Sequence, residues 1–250
     1  MKILVTAGNT QVAIDQVRCI TNIFTGRTGT QIALHGHERG HAVTLLTSRP
    51  ELVTELRATA PLAAKCFTVQ PYRTFEDLQA YMQEAVRHGR PDAVIHCAAV
   101  SDYRVAGVYA PAPETCFREE DGSWDRSGAG LPALRDVSAG KVRSDRPELW
   151  LRLVRTPKLV DLIRSAWAFR GILVKFKLEV GVSEEQLLET AERSRVHSAA
   201  DVMVANTLEG SQAWAYLGPR AGKYECVSRQ DLAPRLLDAV EHLCRERGHG

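Results

Sequence analysis

The chain lacks any large excess of charge. Its 32 Lys and Arg face 30 Asp and Glu, a formal net charge of +2 over 250 residues. No run of five basic residues occurs, so electrostatics does not favour a nucleic acid or an acidic membrane surface as partner. No apolar run approaches the 18 residues of a membrane span. The opening MKILVTAG lacks the charged, apolar and small-residue zones of a signal peptide, and a cytoplasmic protein is expected. No two of the six cysteines, at 19, 66, 97, 116, 226 and 244, have CxxC spacing, which argues against a zinc ribbon or a thioredoxin-type motif. Free thiols are the expectation, with Cys97 a buried small hydrophobe. Internal repeats are absent too. His35, His37 and His41 invite a metal reading, but helical neighbours must lie three or four apart to share a face. No metal site is expected there.

What is present alternates between strand and helix signals. Ile3-Leu4-Val5 is an apolar run ending at Gly8-Asn9-Thr10, a strand entering a tight turn. Residues 26–39 read as a helix closed by Gly40, and residues 41–46 as the next strand. That is one βαβ unit, with parallel pairing expected. Residues 66–69 suggest a third strand. Residues 74–88 form an amphipathic pattern with Phe75, Leu78, Met82 and Val86 on one face. Residues 93–98 are apolar throughout, as in a central parallel strand. Residues 104–140 break the pattern with Gly, Pro, Ser and charge, and read as a long irregular flap. Helices follow at 157–168 and 183–197, strands at 171–178 and 201–205, a late edge strand at 223–227, and a closing amphipathic helix at 231–247. The four tryptophans read as packing residues. The expected fold is α/β: one domain over residues 1–250, a Rossmann-like parallel sheet flanked by helices, with the flap inserted and a late antiparallel edge strand.

Three places carry candidate chemistry. The connection after the first strand is unusually long and ends at a Gly-flanked helix start. Free N–H groups and the helix dipole favour phosphate there, and Arg18, Asn22, Thr25 and Gly26 converge on it. No GxGxxG is present, so the ordinary dinucleotide fingerprint is missing. Ala98-Ala99-Val100-Ser101-Asp102 follows the central strand, where open α/β sheets place ligands. Asp102 suits hydrogen bonds from a base or a sugar, or a helix cap. Lys141, after Ser138-Ala139-Gly140, is a mobile point charge suited to a triphosphate, or a solvated surface lysine.

Several segments, in order, resemble the phosphopantothenate–cysteine ligase family: TAGNTQVAIDQVRCITNIFTGRTG, AAVSDY, Lys141-Val142-Arg143, TPKLVDLI, FKLE at 176–179 and VAN at 204–206. The resemblance covers nearly the whole chain and is to the stand-alone bacterial type, without a decarboxylase domain. It implies that 4′-phosphopantothenate is joined to cysteine at the expense of a nucleoside triphosphate, CTP or ATP, through an acyl-nucleotide, with Mg²⁺ and in a homodimer. Asn22 and Lys141 would then be catalytic. Gly8, Thr10, Arg18, Asn22, Thr25, Gly26, Gly29 and Asn206 would bind substrate. Ala98, Ala99, Asp102, Lys141, Phe176 and Lys177 would meet nucleotide. The chain departs from the family at two points. Gly8-Asn9-Thr10 stands for Gly-Gly-Thr, and Phe24 replaces a serine that would be a phosphate ligand. Two other classes compete: a non-catalytic nucleotide- or metabolite-binding paralogue, and a short-chain-type NAD(P) oxidoreductase. Against the latter, no tyrosine has Lys four residues on, and Leu45-Leu46-Thr47-Ser48 stands where an acidic residue would follow strand two.

Overall fold

The structure, a computed structural model, describes residues 1–57 and 66–248. Along the chain run β1 (Lys2–Ala7), β2 (Gln11–Ala13), β3 (Cys19–Thr21), α1 (Arg27–Glu38), β4 (Ala42–Thr47), α2 (Glu51–Leu56), β5 (Phe67–Pro71) and α3 (Phe75–Arg87). Then come β6 (Ala93–His96), β7 (Tyr103–Pro111), β8 (Thr115–Arg118), β9 (Ser123–Arg126), β10 (Leu134–Asp136) and β11 (Trp150–Arg155). The last third holds α4 (Leu159–Ser165), β12 (Ile172–Glu179), α5 (Glu184–His197), β13 (Val202–Thr207), β14 (Trp214–Arg220), β15 (Lys223–Ser228) and α6 (Leu232–Glu246). The chain divides into two compact units: residues 1–10, 22–100 and 158–250 form one, residues 11–21 and 101–157 the other.

The first unit is the expected α/β layer structure. Its eight-stranded sheet has the order β15-β14-β13-β12-β6-β1-β4-β5. Pairing is parallel from β13 to β5, and antiparallel where β14 and β15 close one edge. Strand β6 is buried at all four positions, because helices cover both faces of a parallel sheet. Ile3, Val5, Val43, Val174 and Val204 face one core with Ile32 of α1, Val53 of α2 and Leu236 of α6. Leu4, Leu46, Val94 and Leu173 face the other with Leu78 and Met82 of α3 and Ile163 of α4. Helix α3 starts where its sequence says it should. Thr74 caps it, accepting from the Asp77 N–H while the Asp77 carboxylate accepts from the Thr74 N–H.

The second unit replaces the irregular flap read from composition. Strands β10, β7 and β11 form an antiparallel sheet, β8 and β9 a hairpin, and β2 and β3 a short ribbon. Antiparallel strands with one solvated face tolerate charge and Gly, so composition alone hid them. Trp124, Trp150 and Phe117 pack together, with ring centroids 4.7 to 5.3 Å apart.

Candidate functional site

The first strand ends in a loop that folds back on itself. Gly8 has φ +90°, and a Cβ there would meet Ser48 Oγ at 2.2 Å. Gly26, also at φ +90°, lies so close that its Cβ would be 2.2 Å from the Gly8 nitrogen. Gly29 is pressed on Ala7, whose Cβ would be 2.7 Å from a Cβ on the glycine. Only glycines permit this approach of α1 to the end of β1. Gly26 is the N-cap of α1 and brings no side chain to its first turn, so leading N–H groups of the helix point outward as donors, with the positive end of its dipole.

The Ala98-Ala99 segment joins this loop from the end of β6. The Ala99 N–H donates to the Gly8 carbonyl (2.8 Å) and Ala99 O accepts from the Thr10 N–H (3.3 Å). Asn22 Nδ2 donates to the same Ala99 carbonyl at 3.0 Å, which fixes the amide and leaves its second hydrogen free to donate. Asn9, one of the two departures, is built in: its Nδ2 donates to the Asn22 carbonyl (2.6 Å), while its Oδ1 accepts from Ser48 Oγ (3.1 Å). Tyr72 OH, buried, donates to the Ala7 carbonyl at 2.8 Å beneath the loop. Gly8, Thr10, Asn22, Gly26, Gly29, Ala98 and Ala99 therefore form one cluster. Thr25 and Phe24 border it, Thr25 exposed and Phe24 half-buried.

Phe176, Lys177 and Asn206 lie toward the C-terminal ends of β12 and β13, the edge of the sheet to which β1 and β6 also run. Lys177 is paired with Glu179 at 2.9 Å. Beneath them His96 is buried, its Nδ1 against Thr6 Oγ1 at 2.9 Å. Burial, and the charge of Lys175 on the adjacent strand, push its pKa down to about 4.

Arg18, Asp102 and Lys141 belong to the second unit. There Asp15 gathers donors: the Val17, Arg18 and Val142 N–H groups and the Arg18 guanidinium, at 2.6 to 3.0 Å. The guanidinium holds the Asp15 carboxyl well below the usual carboxylate range. Arg18 Nη2 also donates to the Val142 carbonyl at 2.5 Å, which fastens the ribbon to the loop that carries Lys141. Lys141 and Asp102 are exposed. Among the described residues no three His, Cys, Asp or Glu are grouped to hold a metal. A magnesium ion carried on a nucleotide's phosphates needs no such cage.

A cavity of about 460 Å³ opens at the other end of the strands, between the starts of β1, β4 and β5 and helix α3, lined by Ile3, Thr44, Thr68, Tyr81 and His88 among others. None of the candidate residues lines it, so it is not the site assembled by the glycine loop.

Fold and site together define a Rossmann-like α/β protein with a glycine-built loop and helix start at the C-terminal edge of its parallel strands. Residues 1–111 match the family described as DNA/pantothenate metabolism flavoprotein C-terminal domain. The chain is 28% identical over 248 residues to the coenzyme A biosynthesis bifunctional protein CoaBC of Thermococcus kodakarensis, covering 97% of this chain and 51% of that protein. It is 38% identical over 204 residues to the Vibrio vulnificus CoaBC, 82% of this chain and 40% of that one. The chain thus spans about half the length, or less, of these curated relatives. Among solved structures, the DNA/pantothenate metabolism flavoprotein of Streptococcus pneumoniae superposes with a TM-score of 0.73, at 28% identity, covering 97% of this chain and 99% of that one. A Cab2 variant in complex with phosphopantothenate-cysteine shares the fold, with a TM-score of 0.70 at 16% identity, over 99% and 88% of the two chains. In sequence the chain is similar to part of these CoaBC proteins, and in fold to the DNA/pantothenate metabolism flavoprotein of Streptococcus pneumoniae.

Proposed function

We propose that the protein joins 4′-phosphopantothenate to cysteine, a step of coenzyme A biosynthesis. The observation that carries this is the cluster of Gly8, Gly26, Asn22 and Ala99, in which a glycine-built helix start and an oriented amide meet at one edge of the sheet. The cradle suits the phosphate of the substrate, Asn206 suits its body, and Phe176 is assigned to the nucleotide. A carboxylate oxygen of the substrate attacks the α-phosphorus of a nucleoside triphosphate, CTP favoured over ATP. The bond to pyrophosphate breaks. The cysteine amine then attacks the acyl carbon, the nucleoside monophosphate leaves with the acyl oxygen's electron pair, and the amine loses a proton. Asn22, with its amide held by Ala99, stabilises oxyanion at the acyl carbon. Lys141, with Mg²⁺ on the triphosphate, neutralises the departing pyrophosphate. Ala98, Ala99, Asp102 and Lys177 are assigned to the nucleotide, and Thr10 and Thr25 to the substrate.

The working form is proposed to be a cytoplasmic homodimer. Val17 and Ile20, exposed on the ribbon, are apolar surface of the kind a second copy covers. The test is pyrophosphate release by the purified, folded chain with phosphopantothenate, cysteine, Mg²⁺ and either CTP or ATP, with sedimentation of the same sample. Release that requires phosphopantothenate is expected from a dimer. No release with either nucleotide refutes the ligase reading. Full activity from a monomer refutes the dimer.

A further inference from the structure

Half-buried guanidinium groups in this protein are neutralised by carboxylates. Arg164 meets Asp201 at 2.6 Å, Arg195 meets Glu192 at 2.6 Å, and Arg126 lies 3.7 Å from Glu114. Arg229 is the exception among them. It is half-buried, forms no ion pair among the described residues, and makes one side-chain hydrogen bond there, from Nη2 to Thr28 Oγ1. Five N–H donors are available to an arginine, so most remain unused. Burial lowers its pKa, a sign that the charge is poorly compensated as it stands.

Its position gives the reason. Strand β15 is antiparallel to β14, which is antiparallel to β13, so β15 ends at the same edge of the sheet as β1, β6, β12 and β13. Arg229 follows directly and reaches back along this edge to Thr28, in the first turn of α1. The Cys97 sulfur, toward which the Gly29 N–H is directed, is near enough to feel its charge. The guanidinium therefore stands beside the glycine cradle at the start of α1. The cradle itself offers uncharged N–H groups, and Phe24 adds no hydroxyl.

We propose that Arg229 is a phosphate ligand, and that it makes the site select the phosphorylated form of its substrate over the unphosphorylated one. A doubly charged phosphate group would take two of the free donors and supply the countercharge missing here. Arg229 lies about 200 residues from the cradle in sequence. The inference rests on the phosphopantothenate reading, and the test separates the two.

Wild type, R229Q and R229K are titrated calorimetrically with 4′-phosphopantothenate, with pantothenate, and with inorganic phosphate. Thermal melting checks that each variant is folded. R229Q should lose affinity for phosphopantothenate on the order of 10- to 100-fold, the size of a charged hydrogen-bonding pair. Inorganic phosphate should weaken in parallel and pantothenate should not change. R229K should recover part of the loss, because it keeps the charge but not the fork. No loss, or an equal loss for pantothenate, overturns the inference and leaves the ligase reading intact. Wild type that binds inorganic phosphate through Arg229, but not phosphopantothenate, overturns the ligase reading and leaves Arg229 its role. Binding of neither phosphate overturns both. If R229Q does not fold, R229K decides on the same criterion: a several-fold loss confined to the phosphorylated ligands supports the role, and any other result refutes it.

Discussion

At the scale of single residues, two asparagines form one hydrogen-bonded chain at the end of β1 and β6. Asn9 holds Asn22 through the Asn22 carbonyl, and Asn22 holds Ala99. Asn22, which the proposed reaction sets against the acyl group, is thus held at its backbone carbonyl and at its side-chain amide. Replacing Asn22 by Asp keeps its size, removes the donor and adds negative charge where negative charge develops in amide formation. Loss of one such donor typically slows a step on the order of 10²- to 10³-fold. In the proposed reaction, pyrophosphate departure is assigned instead to Lys141 and magnesium. Asn22→Asp should therefore release pyrophosphate in a burst and then stall, whereas Lys141→Gln should slow the burst itself. Rapid-quench measurement of pyrophosphate, acyl-nucleotide and amide product decides. Equal slowing of both steps in both variants would remove the division of labour. The cluster of glycines with Asn22 and Ala99 was legible in the sequence because its members lie in two short motifs. Asn9 stood out only as a departure, and Arg229 not at all. A single arginine after a late strand carries no local signal, and its partner Thr28 lies on the first helix of the chain.

Elements were legible where local signals agreed with the fold. Helix α3 announced itself through its apolar face, and β1, β4, β6, β12 and β13 through apolar runs. Strand β15 was expected at an edge, and it is one. Strand β14 was missed because Gly218-Pro219 reads as a turn. Those residues fall where the β14–β15 register shifts, the kind of irregularity at which a strand tolerates proline. Helix α2 was missed because six residues are too few to show a period. The strands within residues 104–140 were hidden by their charge and glycine. The pairing of β7 with β10 and β11 narrows the flap proposal to what lies between β7 and β10. The hairpin β8–β9 and the connections on either side of it, residues 112–133, are the part expected to tighten when nucleotide binds. Amide hydrogen exchange across this stretch should slow on adding CTP. Strong protection already present in the free protein, unchanged by CTP, would refute a closing flap.

At the scale of the molecule, the sheet places a titratable group where it links the site's foundation to pH. His96 ends β6, in register with Thr6 of β1 on one side and Lys175 of β12 on the other. Lys175 donates to the Ser194 carbonyl at 3.1 Å and to Ser198 Oγ, which anchors its ammonium beneath the sheet. A second positive charge on His96 would be buried beside the first, and so the imidazole stays neutral down to about pH 4. An unfolded imidazole takes up its proton near pH 6.5. Between those values the unfolded chain binds a proton that the folded chain refuses, so stability falls as pH drops through this window and levels off below it. The full shift corresponds to about 3 kcal/mol at most, a large fraction of the stability of a typical domain. His96→Asn removes the titration while keeping a hydrogen-bonding side chain near Thr6. The variant should start less stable at pH 7.5. Its further loss on going to pH 4.5 should be smaller than that of the wild type by about 2 kcal/mol. Carboxylates that protonate over the same range act alike in both proteins and cancel in the comparison. Urea denaturation of the two proteins at both pH values gives the four stabilities required. Equal losses in wild type and variant would mean that the buried imidazole is not what ties the sheet to pH.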